Sequence, residues 1–280
     1  KVRDSAGYYT TGRQSSSIAI DASDGLHVSY YDRNGRDLEY AYMASGDSSW
    51  TVTTDIDTSS SYMAWSNSIA VDADGNPHIA YFDYNYGDLE YAYCTATCSS
   101  ASSWVKQTLD SDNTVGEYLD IALDQYGQAH VSYYNDTSDD LQSIIVHDGV
   151  ARSSAIGQVG SHHYQTGHAV DASGSIHLSY YNGSDSAGAL QYAVLNGVSW
   201  SVTTVDESSA MVGTYSALAL DGSDNPHVSY LDSTNGYLRY AYHDGTSWAL
   251  STVDSSGTVG GYTSIVIDAD GRPRIAYHDS

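Results

Sequence analysis

Apolar and polar side chains alternate with period two in short runs, the first four being SIAID (17–21), HVSYYD (27–32), LEYAY (38–42) and WTVTT (50–54). An extended chain sends successive side chains to opposite faces, so each run reads as a half-buried strand. Gly, Asp, Asn and Ser stand between the runs, and these are the residues tight turns need. No window carries the 3.6-residue period of an amphipathic helix, and an all-β chain is expected.

The same four runs return along the chain. Each first run closes on an aspartate: Asp21, Asp72, Asp124, Asp171, Asp221 and Asp268; six residues later stand His27, His78, His130, His177, His227 and, in the last copy, Arg274. Successive aspartates are 51, 52, 47, 50 and 47 residues apart, an interval typical of propellers and solenoids. A sheet of four short strands cannot cover both its faces alone, whereas radial stacking of such sheets can. The sequence thus predicts a six-bladed β-propeller of four-stranded antiparallel blades, one domain over 1–280, with an open array as the alternative. Its copies lie at about 17–66, 67–118, 119–166, 167–214, 215–263 and 264–280. The SIAID-type run is the inner strand and the WTVTT-type run the outer one. Ser29, Ala80, Ser132, Ser179, Ser229 and Ala276 recur where blades must approach closely. The sixth copy stops after its second run and is joined by residues 1–16, whose opening KVRDS aligns with the end of a fourth. A last blade composed from both termini is therefore expected. Its missing third strand leaves three alternatives: a thinner blade, an N-terminal strand moved inward, or a longer parent chain.

The string D-x-x-G-x-x-H-[IV]-[SA]-Y-Y-[DN], followed by GDLEYAY and a Ser-Trp, resembles the propeller repeats of secreted bacterial and archaeal surface proteins, and more distantly those of Asp-box and WD-repeat propellers. The resemblance covers almost the whole chain and implies the fold; function does not follow from it, because propellers host lectins, hydrolases, lyases and scaffolds. It departs from sialidases, whose Asp-box lies between the outer two strands and whose arginine triad has no evident source here. By analogy with the WD-repeat histidine, the repeated His is expected to tie its own turn to the Asp six residues earlier.

Composition narrows the partners. There are 35 acidic and 10 basic residues, a net charge of -25, and Lys1 and Lys106 are the two lysines. Phosphate binding requires clustered cations, so nucleic acid is excluded as a natural partner. No apolar run is long enough to insert in a membrane as a helix. The acidic residues are scattered through turns, as on a solvated surface. Tyrosine occurs 27 times against one Phe, which suits strands with one face packed and a polar tip to satisfy. Cys94 and Cys98 flank a loop that is longer than its counterparts, since Tyr93–Trp104 matches the shorter Tyr42–Trp50 and Tyr242–Trp248. A disulfide closing this loop is expected, and with it a secreted or cell-surface location. Asn135 and Asn182 open glycosylation sequons.

Two groups of residues are candidates for chemistry. Loops from fourth to first strands carry Trp65, Tyr118, Tyr164, Tyr215 and Tyr262; loops from second to third strands begin at Asp32, Asp83, Asn135, Asn182, Asp232 and Asp279, with Tyr31, Tyr134 and Tyr181 beside them. Rings stack on sugars or grip peptide side chains while oxygens accept hydrogen bonds, so this face is expected to bind a glycan or protein ligand, several times over. The second group breaks the repeat: GSHHYQTGH puts His162 and His163 in a loop and His168 where other copies have Ile or Leu. Those histidines could hold a transition metal or serve a polysaccharide lyase or hydrolase. The DADG segments at Asp72 and Asp268 resemble calcium loops, but DASD, DQYG, DASG and DGSD stand in the other copies, and an Asx-type turn accounts for all six. A third reading is a structural brick that self-assembles through the composite blade. No nucleophile elbow, phosphate loop, H-E-x-x-H or dinucleotide fingerprint is present.

Overall fold

The computed structural model describes residues 16–32, 35–59, 63–147, 150–160, 164–184, 188–197, 199–257 and 259–279. Every regular element among them is a strand except one turn of 3-10 helix at Ala101–Ser103. The first sheet holds β1 (Ser16–Ile20), β2 (Leu26–Asp32), β3 (Asp37–Met43) and β4 (Thr51–Asp57) in that order. The second holds β5 (Met63–Val71), β6 (Pro77–Asp83), β7 (Asp88–Tyr93) and β8 (Val105–Asp110). The third holds β9 (Val115–Leu123), β10 (Ala129–Asn135), β11 (Asp140–His147) and β12 (Val150–Gln158). The fourth holds β13 (Gly167–Val170), β14 (Ile176–Asn182), β15 (Ala189–Asn196) and β16 (Ser199–Asp206). The fifth holds β17 (Val212–Leu220), β18 (Pro226–Asp232), β19 (Tyr237–His243) and β20 (Trp248–Asp254). The sixth holds β21 (Val259–Ile267) and β22 (Pro273–Asp279). The strands expected from residues 1–15, and with them the composite blade, lie outside the described residues.

The chain divides into two compact units, residues 1–137 with 143–154, and residues 138–142 with 155–280. In the first unit β5 packs on β1 and β2, and β9 packs on β5 and β6. In the second, β17 packs on β13 and β14, and β21 on β17 and β18. The apolar faces meet between successive sheets: Leu38, Tyr40, Ile69, Ile79 and Tyr81 in one cluster, Leu190, Val212, Val228 and Tyr230 in another. The repeated small residues sit at these seams. Ser29 Oγ donates to Asn67 Oδ1 at 2.7 Å, Ser179 Oγ to Ser216 Oγ at 3.1 Å, and Ser229 Oγ to Thr263 Oγ1 at 3.0 Å. A tyrosine of the second strand donates to the aspartate ending the preceding sheet's outer strand: Tyr81 to Asp57 (2.6 Å), Tyr133 to Asp110 (2.7 Å), Tyr230 to Asp206 (2.8 Å) and Tyr277 to Asp254 (2.8 Å).

The repeated aspartate and histidine are structural. In each copy Asp Oδ1 accepts two turn N–H groups, as Asp72 does from Asp74 at 2.9 Å and Asn76 at 2.8 Å. This is the Asx turn, and the same pair of bonds recurs at Asp21, Asp124, Asp171, Asp221 and Asp268. Oδ2 faces His Nε2 at 3.1 Å for His27 and His177, 3.5 Å for His130, and 3.6 Å for His78 and His227; Arg274 replaces it with two bonds to Asp268. The other ring nitrogen shares a hydrogen bond with a third-strand tyrosine: Tyr40 with His27 at 2.7 Å, Tyr240 with His227 at 2.5 Å, and likewise Tyr91 with His78 and Tyr192 with His177. The third copy reads DLQS where the first reads DLEY, so Ser143 stands at the tyrosine position. There His130 Nδ1 and Ser143 Oγ are buried without a hydrogen-bond partner.

Candidate functional site

In the second unit four of the face tyrosines come together. Tyr164, from the segment before β13, meets Tyr181 of β14 edge-on with ring centroids 5.5 Å apart, and Tyr215 of β17 at 5.1 Å. Tyr215 in turn meets Tyr262 of β21 at 4.6 Å. The run therefore crosses three successive sheets. Its depth changes along the way: Tyr181 is buried, Tyr164 and Tyr215 are half-buried, and Tyr262 is 69% exposed. Burial, with the neighbouring Tyr164, pushes the Tyr181 hydroxyl above its ordinary pKa.

The local reason is a three-residue phrase, Gly-x-Tyr, at Gly116–Tyr118, Gly213–Tyr215 and Gly260–Tyr262. The glycines have φ of +105°, +105° and +103°. A Cβ on Gly213 would fall 2.5 Å from Leu190 Cα, and one on Gly260 2.9 Å from Leu238 Cα. Only glycine allows both the left-handed backbone and this close seat on the preceding sheet. Two residues on, Tyr118, Tyr215 and Tyr262 also have positive φ, +50°, +52° and +52°. A bulky residue rarely adopts that conformation, and such strain gathers at binding sites. The Tyr215 carbonyl accepts from Thr263 Oγ1 of the next sheet at 2.9 Å, which holds the unusual backbone in place.

Among the described residues of the first unit, Tyr118 meets Tyr134 edge to face at 6.1 Å. Tyr31 packs half-buried against the cluster around Leu38, and the Trp65 side chain lies outside what the structure describes. The predicted carboxylates and amides mostly cap their own turns. Asp32 accepts from Gly35 N at 2.8 Å, Asp83 from Asn85 N at 2.9 Å, Asn135 from Thr137 N at 3.0 Å, and Asn182 from Ser184 N at 3.0 Å. Asp232 accepts from Asn235 N and Ser209 Oγ; burial opposes its ionisation, but Asn235 first and then Ser209 hold it below the usual carboxylate range. Asp279, at the end of β22, is exposed.

His162 and His163 lie outside the described residues. His168 is 7% exposed in β13, opposite Leu178, at the inner-strand position the sequence assigns to it. Cys94 and Cys98 are disulfide-bonded with Cα atoms 5.7 Å apart. Their loop leans on the first sheet, Thr53 Oγ1 donating to the Cys98 carbonyl at 2.7 Å. A cleft of about 570 Å³ opens beside it, lined by Asp21, His27, Tyr40, Asp74 and Cys98 among others. Sequence reasoning passed over one acidic group: carboxylate oxygens of Asp32, Asp37 and Glu39 lie within 4.8 Å of one another.

No family model matches the sequence, and no curated protein matches it. Solved structures do resemble it. A mutant of the Aleuria aurantia lectin AAL, in complex with Fucα1-6GlcNAc, superposes with a TM-score of 0.64 at 15% identity, over 95% of this chain and 87% of that one. A mutant of AofleA from Arthrobotrys oligospora gives 0.61 at 13% identity, over 97% and 80%. NanB sialidase from Streptococcus pneumoniae gives 0.60 at 10% identity, over 97% and 66%. At these identities the likeness establishes the fold alone: the chain has the all-β fold of six-bladed propellers such as AAL.

Proposed function

We propose that the chain is an extracellular binding module that holds glycans on the tyrosine-lined face of its second unit. The observation that carries this reading is the continuous run of Tyr181, Tyr164, Tyr215 and Tyr262, with two of its members in strained backbone. Phenol rings offer an apolar face to the C–H side of a sugar and a hydroxyl to its edge, at little cost in side-chain entropy. The likeness to a lectin holding a disaccharide supports the same reading, and the disulfide supports an oxidising location. The net charge of -25 favours neutral or cationic sugars over sulfated or uronate-rich ones.

A glycan array followed by titration calorimetry tests this. Neutral glycans are expected to bind, and Tyr262→Ala is expected to weaken binding about tenfold, matching a lost stacking contact of about 1–1.5 kcal/mol. Because Tyr262 is exposed, its removal should leave the melting temperature nearly unchanged. A blank array, or glycan binding indifferent to both Tyr262→Ala and Tyr164→Ala, would overturn the assignment.

A further inference from the structure

The first sheet departs from its siblings in its outer strand. Leu38 pairs with Asp57 and Tyr40 with Thr53, so Thr54, Asp55 and Ile56 stand opposite the single residue Glu39. In the second sheet only Thr108 and Leu109 occupy the corresponding stretch opposite Glu90. The extra residue makes a bulge with Asp55 in the left-handed region, φ +59°. Bulges re-aim side chains; this one sets Asp55 near Asp37, where its charge opposes ionisation of the buried carboxyl.

Asp37 is the unusual member. It is 2% exposed, its Oδ1 is buried without a hydrogen-bond partner, and it lies in the group with Asp32 and Glu39. After its own burial, the groups acting on it most strongly are all carboxylates, Asp55, Glu39 and Asp32. Two other buried carboxylates meet a cation: Lys106 stands 3.2 Å from Asp57, and Arg239 stands 2.8 Å from Asp206. Concentrating like charge around a buried oxygen is costly unless a proton or a counter-charge enters.

We propose that Asp32, Asp37 and Glu39 form a calcium site at the turn end of the first sheet. Calcium takes oxygen ligands at about 2.4 Å in flexible geometry, so two oxygens sharing one ion stand at most about 4.8 Å apart, the limit that Asp32, Asp37 and Glu39 meet. The unpartnered Asp37 Oδ1 supplies an acceptor that nothing else satisfies. This site is distinct from the repeated Asx turns, whose Oδ1 atoms are already engaged by backbone N–H groups.

The test uses the whole chain after treatment with a chelator. Titration of calcium chloride should release heat with a stoichiometry of one high-affinity ion per chain and should raise the melting temperature. Terbium should bind in its place and luminesce on tyrosine excitation, since Tyr30 pairs with Glu39 across β2 and β3. Asp37→Asn and, separately, Glu39→Gln should each weaken calcium about tenfold or more. Glu39 is half-buried and its variant keeps the side chain's shape, so it remains informative if Asp37→Asn folds poorly. Asp88→Asn, at the matching position of the second sheet, should bind as the parent does. Absence of heat and of thermal shift with calcium, or parental calcium affinity in Glu39→Gln, would overturn the proposal. Neither result bears on glycan binding by the second unit.

Discussion

Each repeat aspartate divides its two oxygens, one to the turn backbone and one to the histidine. The Asp-x5-His spacing made that pairing legible in the sequence, because both residues flank one hairpin turn. The tyrosine closing the set was not legible, since it arrives from the third strand through pairing that no local pattern announces. The third copy provides the contrast, with His130 Nδ1 lacking the tyrosine that His27 has. Replacing His27 with Leu strands Asp21 Oδ2 and the Tyr40 hydroxyl and should cost about 1–3 kcal/mol. His130→Leu removes a buried polar group already poorly met and should cost less than about 1 kcal/mol. Burial lowers the His130 pKa from its ordinary value, Asp124 opposing. Between that lowered value and about 6.5, the unfolded chain binds more protons, so this histidine's contribution is full above the unfolded pKa and is lost as pH falls. The stability gap between His130→Leu and the parent should therefore shift in the variant's favour below about pH 6.5, measured by urea unfolding at several pH values. A gap independent of pH would contradict this account.

At the scale of elements, strand type and order followed from the alternation, and all four runs of a copy take the places expected of them. Even β12, whose VARSSAIGQ lacks the tryptophan of WTVTT, forms a fourth strand, because backbone pairing needs no particular ring. The bulge at Asp55 was written only as one surplus residue in TVTTDID, too small a signal against loops that vary in length. The Gly-x-Tyr phrase was visible but its meaning was not, since the reason for the glycine lies on the neighbouring sheet. The enlarged loop after Tyr93 was read correctly as a disulfide hairpin. Closing so short a loop stabilises by about 2 kcal/mol in the chain-entropy account. Replacing Cys94 and Cys98 together with Ser should lower the melting temperature by roughly 4–8 °C. Calorimetry on the reduced parent should give the same shift, and a smaller one in either case would mean that Thr53 and Trp104, which both bond to the Cys98 carbonyl, hold the loop unaided.

At the scale of the molecule, charge is the dominant peculiarity. With a net of -25, the folded state crowds like charges that the unfolded chain spreads apart. Salt at about 0.5 M shortens the screening length to well under 10 Å, so the melting temperature should rise between low salt and that concentration. A flat response would show that the acidic residues are too dispersed to repel appreciably. The face tyrosines were legible as a set from their places in the repeat; that four of them form one run in the second unit was not, because ring-to-ring contact depends on backbone that tyrosine seldom adopts. The glycine that seats one sheet on its predecessor is two residues from the tyrosine displayed at the rim. Docking and display are thus inherited as one word, and a duplication that adds a well-fitted sheet adds a displayed ring with it. Valency in such a protein would grow by copying, without a separate round of invention for each new contact.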